Sequence, residues 1–293
     1  MVTDQIIHYT SDASIRVSIA ITRELTEKAR QCHQLSPVAS AALGRTMTGA
    51  LLLAGDYKNK EGVSILFRGD GPLGTIHVDS FDTDKVRGFV DHPHVQLPLK
   101  ANGKLDVGTA VGKGTLAVTR FTPKQDTYSS QSQIVSGEIA EDLAYYLYTS
   151  EQISSTISLG ILVDRDYTIA TAGGFLVQAL PGATDEALAE VENNIQKIGP
   201  ITTYLQHDVH GEALISNILK GFSYKELYRY PVYWQCTCSQ QRMERALLAL
   251  RAEDKLLLLQ DPQVEMVCHY CGQHYVLQQK ELAALYNKTN MEV

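Results

Sequence analysis

The chain has 293 residues, of which 44% are hydrophobic and 20% charged, and it carries a net charge of −7 at pH 7. That length favours two domains, or one domain with a small appended module, because one core rarely grows beyond roughly 250–300 residues. The negative charge repels phosphate groups, so nucleic acid is not expected as a partner. The amino terminus lacks a signal-peptide pattern and no apolar run approaches the roughly 20 residues that span a bilayer, so we expect a cytoplasmic protein without membrane contact.

Residues 1–178 are predicted to form an α+β core domain in which β-sheets pack with helices. Ile15, Val17 and Ile19 alternate with polar residues, which is typical of a half-buried strand. Ser36 and Pro37 suit the N-cap and the first position of a helix that is rich in Ala, Leu and Gly and should be buried. The predicted strands lie near 15–19, 63–68, 73–80, 85–90, 115–121, 131–136, 156–163 and 167–178, and the predicted helices cover 22–33, 37–54 and 136–150.

Residues 179–231 are predicted to form a helical linker made of several short helices. Thr184 is a suitable N-cap for the first of them, and Gly199-Pro200 ends it and starts the next. The pattern at 223–226, Ser-Tyr-Lys-Glu, matches a capping box and predicts a further helix start. Helices this short cannot bury their apolar faces on one another alone, so we expect them to dock on another surface.

Residues 232–293 are predicted to form a small C-terminal zinc-binding module. Ser239 is placed to cap a helix, and short strands are predicted at 264–267 and 275–277. Four of the five cysteines lie here as a C-x-C pair and a C-x-x-C pair: Cys236, Cys238, Cys268 and Cys271. In a reducing cytosol, such a cluster indicates metal binding or redox activity more than a permanent disulfide framework. The fifth, Cys32, is predicted to be a small buried apolar residue of a helix.

The four cysteines match the ligand set of a structural zinc site. Two pairs of thiolates complete a tetrahedron with zinc–sulfur distances of about 2.3 Å. A module of about 60 residues has a marginal hydrophobic core, whereas structural zinc contributes roughly 10–16 kcal/mol of folding free energy. A closed thiolate site leaves no position for a water nucleophile, so we expect no hydrolase and no enzyme.

Other interpretations of the cysteines stay open from spacing alone. The module could be a passive zinc knuckle in an adaptor or nucleic-acid-binding protein, although no basic stripe is visible. It could also be a dithiol oxidoreductase, although flanking strands are a poorer host for that chemistry than a helix N-terminus. His269 or His274 could replace one cysteine ligand, but each is expected to be a surface residue.

Two further patterns are interpreted as structural. Glu138, Glu141 and Asp142 resemble paired catalytic carboxylates, but acids at the start of a helix are usually dipole partners on a solvated face. The segment Gly112-x-Gly114-x-x-Ala117 leads into a predicted strand, so it lacks the helix N-terminus that a dinucleotide needs.

Besides the two cysteine pairs, several motifs follow one another along the chain: Gly69-Asp-Gly-Pro72, SGEIAEDLAYY over 136–146, Ser150-Glu-Gln152, Ala172-Gly-Gly-Phe175, Gln178 and Pro181-Gly182. In this order they resemble the 33 kDa redox-regulated chaperonin family (heat shock protein 33). The resemblance covers nearly the whole chain. The four cysteines show no departure from the family pattern.

The resemblance implies a substrate-binding core, a linker lying over it and a zinc module that acts as a redox switch. Reduced protein would hold one Zn²⁺ per chain through Cys236, Cys238, Cys268 and Cys271 and stay inactive. Oxidation would form the disulfides Cys236–Cys238 and Cys268–Cys271 and expel zinc. The oxidised protein would form a homodimer and hold unfolding client proteins without ATP.

Overall fold

The computed structural model describes residues 3–55, 62–121, 127–208 and 210–289. The chain divides into two compact units, Met1–Gln235 and Cys236–Val293. The strands of the first unit are β1 Gln5–Ser11, β2 Ile15–Ile21, β3 Gly62–Gly69, β4 Thr75–Phe81, β5 Lys85–Val90, β6 Gly114–Phe121, β7 Thr127–Gln133, β8 Ser155–Val163, β9 Ile169–Ala179, β10 Tyr224–Pro231 and β11 Tyr233–Trp234. Its helices are α1 Arg23–His33, α2 Pro37–Ala54, α3 Val107–Val111, α4 Ala140–Ser150, α5 Asp185–Ile198, α6 Ile201–Leu205 and α7 Glu212–Ile218.

The first unit is built on two sheets with the buried helix α2 in contact with both. One sheet has the antiparallel order β10-β1-β2-β9-β8, and the other has the order β11-β5-β4-β3-β6-β7, in which only β11 and β5 pair in parallel. Helix α2 contacts β2, β8 and β9 of the first sheet and β3, β4 and β5 of the second. Nearly all of its side chains are buried, as its Ala, Leu and Gly content predicts, and Ser36 caps it by accepting the Ala39 N–H. The mixed α+β class is therefore confirmed.

The five-stranded sheet is apolar on both faces, because successive residues of a strand point to opposite sides. On β2, Ala20 points towards the α2 side, whereas Ile15, Val17, Ile19 and Ile21 point to the other face. That second face also carries Ile7, Tyr9, Phe175 and Val177, and we call these eight side chains the covered sheet face. Every one of the eight is at most 8% exposed.

Helices α5, α6 and α7 bury the covered sheet face. Their own apolar side chains complete the same cluster: Val191, Ile198, Ile201, Leu205, Leu214, Ile215 and Ile218. One polar contact joins two of the helices, since buried Asn194 on α5 donates to the carbonyl oxygens of Ile218, the last residue of α7, and of Lys220. The expectation that these short helices need a docking surface is met by the sheet.

Three element predictions were wrong in detail. Ser223–Glu226 does not start a helix, because the chain enters strand β10, which pairs along its whole length with β1. The helix predicted from residue 136 begins at Ala140, and the strand predicted at 131–136 is β7, Thr127–Gln133. In the first case long-range pairing overrides a local helix signal. The divisions predicted at 178/179 and 231/232 stay predictions.

The second unit contains α8 Gln240–Leu248, α9 Ala252–Leu258, β12 Gln263–Val267, β13 His274–Gln278 and α10 Gln279–Thr289. Strands β12 and β13 form an antiparallel hairpin, as predicted. Its apolar cluster is small. The buried members are Leu247, Val264, Leu277 and Leu282, with partly buried side chains packed around them.

Candidate metal centre

Four sulfur atoms converge at one point of the second unit. The Sγ atoms of Cys236, Cys238, Cys268 and Cys271 all lie within 4.8 Å of one another. The Cys236–Cys268 pair is 3.6 Å apart and the Cys238–Cys271 pair 3.4 Å, and all four cysteines are free thiols. A tetrahedron with zinc–sulfur bonds of about 2.3 Å places its sulfurs about 3.8 Å apart. The donor set and its spacing therefore fit a single zinc ion.

The C-x-x-C pair lies in the turn of the β12–β13 hairpin. The Cys268 N–H donates to the Gln273 carbonyl across the turn at 2.9 Å, and the Gly272 N–H donates back to the Cys268 carbonyl at 2.8 Å. Gly272 adopts φ 68°, a left-handed conformation that glycine reaches at little cost. The hairpin thus turns both sulfurs to the same side. Cys268 is the most buried of the four, with 5% of its surface exposed.

The C-x-C pair lies immediately before helix α8. Ser239 is the N-cap, because its hydroxyl accepts the Arg242 N–H, as the sequence predicts. The cap sets the direction in which the chain enters the helix. The backbone N–H of Cys238 donates a hydrogen bond to the Cys236 sulfur at 3.5 Å. Residues 236–238, which we call the C-x-C arm, therefore contain their own backbone donor.

Tyr275 contacts the sulfur cluster from strand β13. Its hydroxyl donates a hydrogen bond to Cys238 Sγ at 3.0 Å, and this bond raises the pKa of Tyr275 to about 12. Burial alone would raise the pKa of the Cys238 thiol, but hydrogen bonds from Tyr275 and the neighbouring thiols lower it below its ordinary value. Burial raises the pKa of the Cys236 and Cys271 thiols.

The two histidines that could have replaced a cysteine are not part of the group of four. The imidazole of His274 is exposed and pairs through Nδ1 with Glu265 Oε1 at 2.6 Å. Sequence reasoning missed Tyr275, which was assigned only as a strand residue. A signal was available, because a strand that leaves a C-x-x-C turn keeps its first residues near the metal ligands.

Of the three acids near the start of α4, Glu141 is exposed in the first turn as expected, whereas Asp142 and Glu138 make structural contacts. Asp142 is fully buried, and its carboxylate accepts the backbone N–H groups of Val135, Ser136, Gly137 and Ile139. Glu138 pairs with Arg45 and Lys100. These contacts explain why acids occur here, and they hold the loop that precedes α4.

Cys32 differs from its prediction, because it is only half-buried on α1. Burial raises the pKa of its thiol. It does not belong to the group of four sulfurs, so it offers a natural control for experiments on the cluster.

Together, an α+β unit with a helix-covered apolar sheet and a small unit with four convergent cysteines define a two-part protein with a candidate metal centre. The family model described as Hsp33 protein matches residues 4–278. The chain belongs to the Hsp33 family.

Named relatives agree with this assignment. The 33 kDa chaperonin of Desulforamulus reducens is 41% identical over 273 residues, which cover 93% of each chain. That of Bacillus licheniformis is 40% identical over 94% of this chain and 95% of its own. The crystal structure of the 33 kDa chaperonin (heat shock protein 33 homolog) of Thermotoga maritima superimposes with a TM-score of 0.92 at 34% identity and covers 99% of both chains.

Membership of this family makes the protein a chaperone, a class that acts by binding client proteins. Within the described ranges, none of the helices combines the length and the apolar character needed to cross a membrane.

Proposed function

We propose that the protein is a redox-regulated holdase of the cytoplasm that needs no ATP. In the reduced state Cys236, Cys238, Cys268 and Cys271 would hold one zinc ion and the protein would be inactive. Oxidation would convert them into the disulfides Cys236–Cys238 and Cys268–Cys271. The activated form would dimerise and bind unfolding proteins.

The convergence of four sulfurs in a module with a thin apolar cluster is the observation that carries this proposal. The described module buries only four apolar side chains well, namely Leu247, Val264, Leu277 and Leu282. Such a cluster offsets little of the conformational entropy lost on folding, whereas structural zinc contributes roughly 10–16 kcal/mol. Removing the ligands should therefore unfold the module.

The switch needs an oxidant such as hydrogen peroxide. Each hydrogen peroxide molecule accepts two electrons from one pair of thiolates, so that one sulfur–sulfur bond forms and the oxygen–oxygen bond breaks. The two oxygen atoms take up two protons from solvent and leave as two water molecules. Two peroxides thus consume all four ligands. Bound zinc would keep the sulfurs as thiolates, which react with oxidants far faster than thiols do.

The covered sheet face is the client-binding surface that the proposal requires. The eight side chains on it are buried by α5, α6 and α7, and they form one continuous apolar area. If these helices leave, a patch of this kind is exposed, which is typical of a protein-binding surface. Strands β10 and β11 follow the helices in sequence and run directly into Cys236, so one short segment connects the covering helices to the first of the four cysteines.

The test is to treat reduced, zinc-loaded protein with peroxide at mild heat. We expect release of about one zinc per chain, faster proteolysis after residue 179, and suppression of the aggregation of a heat-unfolded client in the absence of ATP. The Cys32→Ser variant should behave identically.

Zinc release without any gain in client protection would contradict the proposal. Client protection that is equal before and after peroxide would point instead to a static zinc module. Turnover of a disulfide substrate without bound zinc would indicate an oxidoreductase.

A further inference from the structure

One side-chain hydroxyl outside the sulfur cluster donates to a sulfur within it. Tyr275 pairs with Met266 across the β12–β13 hairpin, so the hairpin holds its backbone in place. Its hydroxyl lies 3.0 Å from Cys238 Sγ, a residue 37 positions earlier in the chain. The hydrogen bond therefore ties the C-x-C arm to the hairpin that carries the C-x-x-C pair.

This donor differs in kind from the backbone donors at the cluster. The Cys236 sulfur is approached by the backbone N–H of Cys238, and the Cys271 sulfur by that of Gln273. Backbone donors are present whatever the side chains are. The donor to Cys238 is a side chain, so a single substitution can remove it while the backbone and the four ligands stay the same.

A hydrogen bond to a thiolate withdraws the electron density that the sulfur uses as a nucleophile. The same bond adds to the stability of the sulfur as a metal ligand, as partners of metal ligands commonly do. An oxidant that attacks Cys238 has to break or compete with this bond. Cys238 is half-exposed, so burial alone does not shield it from small oxidants.

We propose that Tyr275 is a positioning residue that sets the oxidation threshold of the switch by restraining the Cys238 sulfur. The hydroxyl keeps the C-x-C arm unreactive at low oxidant concentrations and delays formation of its disulfide. This inference rests on the proposed redox function, and it adds the residue that regulates it.

The experiment compares Tyr275→Phe with the wild type in the reduced, zinc-loaded full-length chain. Alkylation by iodoacetamide, read at each cysteine by mass spectrometry, reports the nucleophilicity of every sulfur. We expect Tyr275→Phe to raise the alkylation rate of Cys238 by about three- to tenfold, the factor that corresponds to one lost hydrogen bond, and to raise the rate of the other three less. The peroxide concentration that releases half the zinc should fall by a similar factor.

The control is Tyr286→Phe in the same module. The Tyr286 hydroxyl is buried and has no hydrogen-bond partner among the described residues, so its loss should leave all four alkylation rates unchanged. A second probe keeps the shape of the side chain: a fluorinated tyrosine at position 275 is a stronger donor and should slow alkylation of Cys238. If Tyr275→Phe fails to retain zinc, the alkylation rate of Cys238 in the fluorinated protein tests the inference instead.

Unchanged rates at Cys238, or an equal rise at all four cysteines, would overturn the inference, since the second pattern indicates general loosening. Failure of this inference is distinguishable from failure of the proposed function. In the first case the wild type still releases zinc and gains holdase activity with peroxide, and in the second it does not.

Discussion

The rings of His8 and Tyr228 lie 4.5 Å apart, centroid to centroid, across the β1–β10 pair. Tyr230, two residues along β10, stacks on the same imidazole at 5.8 Å. The His8 Nδ1 atom shares a hydrogen bond of 2.8 Å with the Ser18 hydroxyl on β2. His8 therefore joins three neighbouring strands, and one of them is the strand that leads towards the cysteine module.

His8 should make the stability of the first unit depend on acid pH. Burial, with a smaller effect of the Arg16 charge, lowers the pKa of His8 to about 4, from an ordinary value of 6.5. The folded state thus favours the neutral ring, and this contribution is complete above pH 6.5 and is lost as the pH falls towards 4. The loss amounts to as much as about 3 kcal/mol. We expect His8→Phe to flatten this part of the pH profile.

The single tryptophan, Trp234, belongs to the first unit, so urea unfolding followed by its fluorescence measures the effect. The free energy of unfolding of the wild type should fall relative to that of His8→Phe as the pH drops from 6.5 to 4. The buried Asp4, whose pKa is raised by burial to about 6, titrates in both proteins and cancels in the comparison. A constant difference at every pH would refute the role of His8.

Replacing one sulfur should remove the metal and unfold the second unit. Cys268 is the best position because it is the most buried sulfur of the four. We expect Cys268→Ser to bind less than about one tenth of the zinc, because loss of a thiolate ligand removes much of the binding free energy. Hydrogen exchange of residues 263–278 should become fast, whereas the Trp234 unfolding transition should stay in place.

Chelation of zinc from the reduced wild type should produce the same exchange pattern, and Cys32→Ser should show neither effect. A protected 263–278 hairpin in metal-free protein would mean that the apolar cluster folds the module unaided.

A larger side chain at Gly160 should weaken the packing of α6 on the five-stranded sheet and leave the cysteines unchanged. A Cβ atom on this β8 residue would lie 2.5 Å from Ile201 Cγ2 and 2.8 Å from Thr202 Cγ2 on α6. Both methyl groups are on β-branched side chains with little room to turn, so the helix has to shift. We expect Gly160→Val to weaken docking of α6 by about 1–3 kcal/mol, a typical overpacking cost.

The expected readouts are faster hydrogen exchange over 201–205 and some protection of an unfolding client by the reduced protein. Zinc content should stay at the wild-type level. Ser158→Ala, on the same strand, serves as the control and should change neither readout. If hydrogen exchange over 201–205 in Gly160→Val equals that of the wild type, the sheet and not the helix shifts to accommodate the added side chain.

Local patterns predicted most of the fold. The strand over Ile15, Val17 and Ile19 and the caps at Ser36, Thr184 and Ser239 are confirmed, although β2 is buried on both faces and not half-buried as its alternation predicts. Each depends on residues within a few positions of one another, so the sequence contains the whole signal. The buried character of α2 follows from composition in the same way.

The remaining features depend on partners far away in sequence. Residues 223–226 carry a helix-capping pattern, yet residues 224–231 form β10 because β1 offers an unpaired edge. Asp142 is buried because four backbone N–H groups of the preceding loop converge on its carboxylate.

By itself, the sequence determined the class of the fold, the family resemblance and the two cysteine pairs, because these rest on short spacings and on motif order. Only the tertiary structure decided that α5, α6 and α7 cover one particular sheet face, that His8 is buried among tyrosines, and that Tyr275 reaches Cys238. The physical reason is that burial and hydrogen bonding across distant segments depend on where the folded chain brings them together. No local propensity contains that information.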